Sequence, residues 1–73
     1  MAPEEAHAVV CHLDDLLLER DMTLTELSER VGVTIANLSI LKNNRARAIR
    51  FTTLTAICQA LECEIGDLFS VSE

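Results

Sequence analysis

Lys42, Arg45, Arg47 and Arg50 place four positive charges within nine residues, and no Asp or Glu lies anywhere from Gly32 to Arg50. Guanidinium groups stay protonated at any physiological pH and present a planar fork of donors that matches the oxygens of a phosphate. The rest of the chain has the opposite sign. Residues 1–31 hold Glu4, Glu5, Asp14, Asp15, Glu19, Asp21, Glu26 and Glu29 against Arg20 and Arg30, and residues 51–73 hold Glu62, Glu64, Asp67 and Glu73 with no cation. A net charge of −6 therefore conceals one electropositive segment. A polyanion responds to the field where it docks rather than to the sum over the molecule, so this segment is a candidate for binding phosphates.

Other chemistries find less support. His7, Cys11, His12, Cys58 and Cys63 include the ligand types zinc uses, but they lack the closely spaced ligand pair of such sites, and Cys58 falls on an apolar helical stripe where a free thiol acts as a small hydrophobe. No metal and no cofactor is expected. The histidines stand near the amino end, Asp14-Asp15 reads as the solvated face of a helix and there is no Gly-rich phosphate loop, so no enzyme is expected either. Trp and Tyr are absent, and Phe51 and Phe69 are both expected in the core, which leaves no platform on which unpaired bases could stack. The three cysteines cannot pair evenly. With no apolar run of about 18 residues and no charged-then-apolar leader, a cytoplasmic protein without a membrane span is expected.

The basic segment must be held in place, and the residues just before it supply the means. Residues 24–43, LTELSERVGVTIANLSILKN, fit two short helices joined by a tight turn. Thr23 followed by Glu26 is the capping-box pattern that opens a helix, and Leu27 and Val31 share one of its faces. Gly32 comes where the chain must turn and accepts positive φ without a Cβ clash. Thr34 is a natural N-cap for the second helix, whose Leu38 and Leu41 lie against Leu27, Val31 and Val33. Upstream, Leu13, Leu16 and Leu17 form the stripe of a first helix between His12 and Arg20. Downstream, Asn43-Asn44 can end a helix in the left-handed conformation, RARAIRF connects without a helical stripe, and Thr52 is the expected cap of a helix carrying Leu54, Ile57, Cys58 and Leu61. Glu64 and Asp67 flank the start of a last short helix with Leu68 and Phe69. Val9–Cys11 either extends the first helix or forms a short strand against Phe69–Ser72, which alternates with period two. Met1–Ala8 is expected to fray, although Pro3-Glu4-Glu5 suits a helix start. A chain of 73 residues makes a single domain with a small core that dimerisation would support.

At these residues the chain resembles the phage-repressor (Cro-like, Xre) helix-turn-helix family. Leu27-Ser28 before the turn glycine Gly32, Val33-Thr34 after it, the apolar anchor Leu38 and the helix end near Asn43-Asn44 carry the resemblance. The flanking DLLLERDMT and TLTAICQALECEIGDLF read like the family's first helix and closing pair, so the likeness covers roughly residues 10–69. It implies an all-α, compact five-helix lambda-repressor-like bundle, to which the terminal two-stranded ribbon would be an addition. It further implies a transcriptional regulator of repressor type, acting as a homodimer on double-stranded DNA. Carried over residue by residue, the groove-facing set is Thr34, Ile35, Ala36, Asn37, Ser39 and Ile40, with Lys42, Arg45, Arg47 and Arg50 on phosphates. Two features depart from the family's pattern. Ile35 and Ile40 stand where long polar side chains usually reach base edges, which restricts readout to methyl contacts from Ile35, Ala36 and Ile40 and hydrogen bonds from Asn37 or Ser39. The loop after Asn44 is also longer than usual. The same apolar positions support a second reading, a protein-interaction module such as an antirepressor or antitoxin-like adaptor that docks through the Ile35/Ile40 face.

Overall fold

Ten side chains form the buried core among the described residues, and nine of them are leucine: Leu13, Leu16, Leu17, Leu27, Leu38, Leu41, Leu54, Leu61 and Leu68, with Ile57. The computed structural model describes residues 8–72. Along the chain these run as β1 (Val9–Cys11), α1 (Leu13–Glu19), α2 (Leu24–Val31), α3 (Ile35–Lys42), α4 (Phe51–Leu61), α5 (Ile65–Leu68) and β2 (Phe69–Val71). Each helix delivers its apolar stripe to the same centre, where α2 packs against both α3 and α4 and α5 packs against α1 and α4. Among the described residues no helix is long and apolar enough to cross a membrane.

The two ends of the described chain meet. β1 and β2 pair antiparallel with Val9 opposite Val71, Val10 opposite Ser70 and Cys11 opposite Phe69. The His12 amide donates to the Leu68 carbonyl at 2.7 Å and the Ser72 amide to that of Ala8 at 2.6 Å, extending the ladder at both ends. The short-strand alternative for Val9–Cys11 is thus the one the fold adopts. Ala8 is tied into the ribbon rather than frayed, while the reading of Met1–His7 lies outside the described residues.

The helix-turn-helix turn is built as its residues dictate. Glu26 donates its amide to Thr23 Oγ1 at 3.1 Å, and Thr23 donates its own to Glu26 Oε1 at 3.2 Å. Gly32 stands at φ 72°, its amide bonded to the Ser28 carbonyl at 2.9 Å. Ser28 adds a brace across the turn, its hydroxyl donating to the Val33 carbonyl at 2.5 Å. A bulkier, non-polar residue at Ser28 would leave that half-buried carbonyl unpaired, which gives a physical reason for a small hydroxyl residue after Leu27.

Three expectations fail locally. Thr52 does not cap α4: the N-cap is Arg50, and Thr52 lies inside the first turn. The spacing of Leu54, Ile57 and Leu61 decides this, because burying Leu54 draws its amide onto the Arg50 carbonyl at 2.9 Å and starts the helix two residues before the hydroxyl expected to cap it. Phe51 is not in the core but 84% exposed: it stands one turn before Leu54, at the first position of α4 and beyond the packed part of that stripe. Phe69 packs partly against the core, but as the first residue of β2 rather than as part of the last helix.

A Cβ built on Gly32 meets nothing within 4 Å, so the cost of a side chain there is conformational alone. Gly32→Ala is expected to lower unfolding free energy by about 1–2 kcal/mol, and Gly32→Asn by less, because Asn tolerates the left-handed region. Urea denaturation of the three proteins checks this, and equal losses for Ala and Asn would refute it.

Candidate nucleic-acid interface

Helix α3 is one wall of the site. Its N-cap Thr34 accepts the Asn37 amide on Oγ1 at 3.1 Å, which leaves the hydroxyl hydrogen available to an anion. Leu38 and Leu41 are buried beneath, while Ile35, Ala36, Asn37 and Ile40 are exposed and Ser39 is half-buried. Eight helical residues at 1.5 Å each give a rod of about 12 Å, the width of the major groove of B-form DNA.

The basic loop is the other wall. Asn44 takes φ 65°, and the Arg45 amide returns to the Ile40 carbonyl at 3.0 Å while that of Asn44 bonds Leu41 at 3.1 Å. This closure folds the chain back beside the last turn of α3 and sets Arg45 next to Ile40. Asn44 is held from its other side by the Cys11 amide, which donates to its Oδ1 at 2.7 Å, so the terminal ribbon braces the start of the loop. Between the walls lies an open groove of about 870 Å³ lined by Thr34, Asn37, Ile40, Arg45, Arg47 and Arg50 together with Thr53 and smaller residues of the loop.

The fold therefore brings six of the ten expected site residues to one concavity. Ile35, Ala36 and Ser39 lie on α3 but do not line it. Lys42 is turned elsewhere, half-buried and 3.3 Å from the Asp14 carboxylate on α1. That pair is partly solvated and contributes little stability, but it neutralises one of the four cations where it stands. The sequence reading missed the part of Asp14 because 28 residues separate the partners. Thr53 was missed as well, and it follows Arg50 by one helical turn. Among the described residues no group of three His, Cys, Asp or Glu side chains converges to hold a metal ion; His12 instead shares a 2.7 Å hydrogen bond with Ser70 Oγ, and His7 lies outside these residues.

Residues 12–73 match the Cro/C1-type helix-turn-helix DNA-binding domain family. The chain is 61% identical over 61 residues to an uncharacterized HTH-type transcriptional regulator, YozG, of Bacillus subtilis strain 168, covering 84% of this chain and 73% of that protein. Among solved structures it is similar to the transcriptional regulator VanUg, with a TM-score of 0.73 and 37% identity over 90% of this chain and 88% of that one.

One residue of the groove stands against local stability. Arg50 occupies the N-cap of α4, makes no side-chain cap and sets a cation at the positive end of the helix dipole. Ser, Thr, Asp or Asn would each be the better residue for the helix. A position that breaks a local rule at the rim of a candidate site is where function is expected to outweigh stability. Arg50→Asp should raise unfolding free energy by about 1 kcal/mol while weakening binding to every duplex alike. Thermal melts and fluorescence anisotropy over a salt series check both halves, and a loss confined to one DNA sequence would count against a phosphate contact.

Proposed function

Since the chain belongs to the Cro/C1-type helix-turn-helix DNA-binding family, we propose that it is a cytoplasmic, sequence-dependent transcriptional regulator of the phage-repressor type, acting as a homodimer on duplex DNA. The observation that carries this reading is the shared groove, in which polar α3 residues and three loop arginines face one another on an otherwise acidic chain. In this mechanism α3 enters the major groove. Asn37 and Ser39 supply hydrogen bonds to base edges, and Ile35, Ala36 and Ile40 supply apolar contact with thymine methyls. Arg45, Arg47 and Arg50 neutralise phosphates and release counterions, with the Thr34 hydroxyl completing the backbone contacts that fix register. Lys42 joins them once the phosphate backbone outcompetes Asp14. Occupancy of the site, not chemistry, is the regulatory event.

In this reading a dimer supplies the reach. The described molecule measures 37 × 22 × 20 Å and carries one α3, so reading a second half-site about 34–36 Å along the duplex takes a second copy. Selection from a random duplex library is expected to enrich two inverted half-sites rich in A·T pairs, one helical turn apart. Recovery of unrelated sequences would remove the sequence dependence, and a lone half-site would remove the dimer.

A second reading rests on Ile35 and Ile40, each 45% exposed, with Ile35 outside the groove. As part of a protein-docking face these side chains would be buried by the partner. The double variant I35K/I40K separates the two. Added cations should tighten duplex binding under the DNA reading, whereas unpaired charge in an apolar interface should abolish partner capture and leave DNA binding unimproved. A sharp fall in the melt would assign both residues to packing and overturn both readings of that face.

A further inference from the structure

Helix α4 stops in a way that brings two thiols together. Glu62 adopts φ 52°, the Cys63 amide donates to the Cys58 carbonyl at 3.0 Å, and the Glu62 amide donates to that of Gln59 at 3.3 Å. This six-to-one closure turns the last helical turn back on itself so that the first and sixth side chains meet. At the end of α1 the same closure joins Leu17 and Met22, an ordinary apolar contact. At the end of α4 it joins Cys58 and Cys63. Both are free and half-buried, and both line an open groove of about 610 Å³ beside Phe51, Leu54 and Ile65. A small solute therefore has access to the pair.

We infer that Cys58 and Cys63 form a reversible dithiol–disulfide site that exchanges with low-molecular-weight disulfides. A disulfide needs α-carbons about 4.4–6.8 Å apart, and a hydrogen bond between the two residues' own peptide groups constrains them to be close. Burial pushes the Cys63 thiol up to about 11, helped by Cys58 and Asp67 and opposed by Arg20. Either thiol can enter and the other resolve; with Cys58 entering, Cys63 is the resolving thiol. In the first step the Cys58 thiolate attacks one sulfur of glutathione disulfide, whose S–S bond breaks and releases one glutathione thiolate. Cys63, losing its proton to solvent, then attacks the Cys58 sulfur of the mixed disulfide and expels the second glutathione thiolate, and the two glutathione thiolates take up from solvent the two protons that the cysteines gave up. The protein loses two electrons and two protons, and the glutathione disulfide gains both as two thiols. The product fastens the end of α4 covalently.

The test uses the full chain incubated with glutathione disulfide, quenched with acid and cleaved after Glu62. Cleavage there separates Cys58 from Cys63, so the two peptides stay linked only through a disulfide. The expected product is this linked pair, formed at least about tenfold faster in the native protein than in denaturant and equally well in C11S. In the C11S background, where no other pair can form, linkage in variants that lack this cleavage site is read as the loss of two hydrogens from the intact chain mass; there Glu62→Gly, which keeps the left-handed stop, should preserve the rate, and Glu62→Ile, which resists it, should slow linkage several-fold. Separate glutathione adducts on Cys58 and Cys63 without linkage would overturn the site. So would a rate that neither denaturant nor Glu62→Ile changes.

Discussion

Each of the four longer helices is followed within two residues by one in the left-handed conformation, and the geometry of the molecule depends on those stops. Asp21, Gly32, Asn44 and Glu62 take φ between 52° and 72°, Gly32 and Glu62 directly after α2 and α4 and Asp21 and Asn44 one residue further on from α1 and α3. A helix that ended by fraying would leave its last carbonyls unpaired and its exit direction undefined. Here the six-to-one and five-to-two hydrogen bonds after α1, α3 and α4, and the single return bond after α2, satisfy those carbonyls and aim the next segment. The turn after α2 sets the angle between the two motif helices. The turn after α3 sets the basic loop beside the exposed face of that helix, and the turn after α4 directs α5 and the closing strand back to β1.

Three of the stops fall on residues with side chains, which carries a conformational cost that the surrounding structure offsets. Asn44 is the clearest case, because its side chain accepts the Cys11 amide and so couples the end of α3 to the terminal ribbon. Glu62 is supported from outside the helix: Arg20 donates from Nε to the Leu61 carbonyl, placing a cation at the negative end of α4. The ribbon and the first helix thereby act as external braces for the wall-and-loop arrangement, although neither lines the groove.

Electrostatics divides the molecule in a second way. Acids crowd both flanks of the sequence, and Asp14 reaches across to pair with Lys42. Arg45, Arg47 and Arg50 line a common space with Thr34, Asn37 and Ile40. Arg50 at an uncapped helix start and two half-exposed isoleucines on α3 are the places where local stability and solubility rules are set aside. Such departures cluster around the basic concavity, which fits a surface shaped by what it must contact.

Much of this was legible in the residues. The capping box at Thr23 and Glu26, the glycine turn, the cap at Thr34, the leucine stripes and the segregation of charge are local or periodic signals, and each reports a contact made within a few residues. The sequence by itself determined that there would be two short helices around Gly32 with a cationic loop behind them. It did not determine where α4 begins, because the burial of Leu54 and Ile57 overrode the capping preference of Thr52. It could not place Phe51 outside the core, since an apolar stripe does not say how far along the helix the neighbouring elements cover it. Nor could it choose between helix and strand for Val9–Cys11, because three residues hold too little pattern and the strand exists only by pairing with residues some 60 positions away. Tertiary structure decided those points, along with the withdrawal of Lys42 to Asp14 and the meeting of Cys58 with Cys63. Each of them turns on which distant group a side chain finds, or on a left-handed stop at a residue whose type does not announce one.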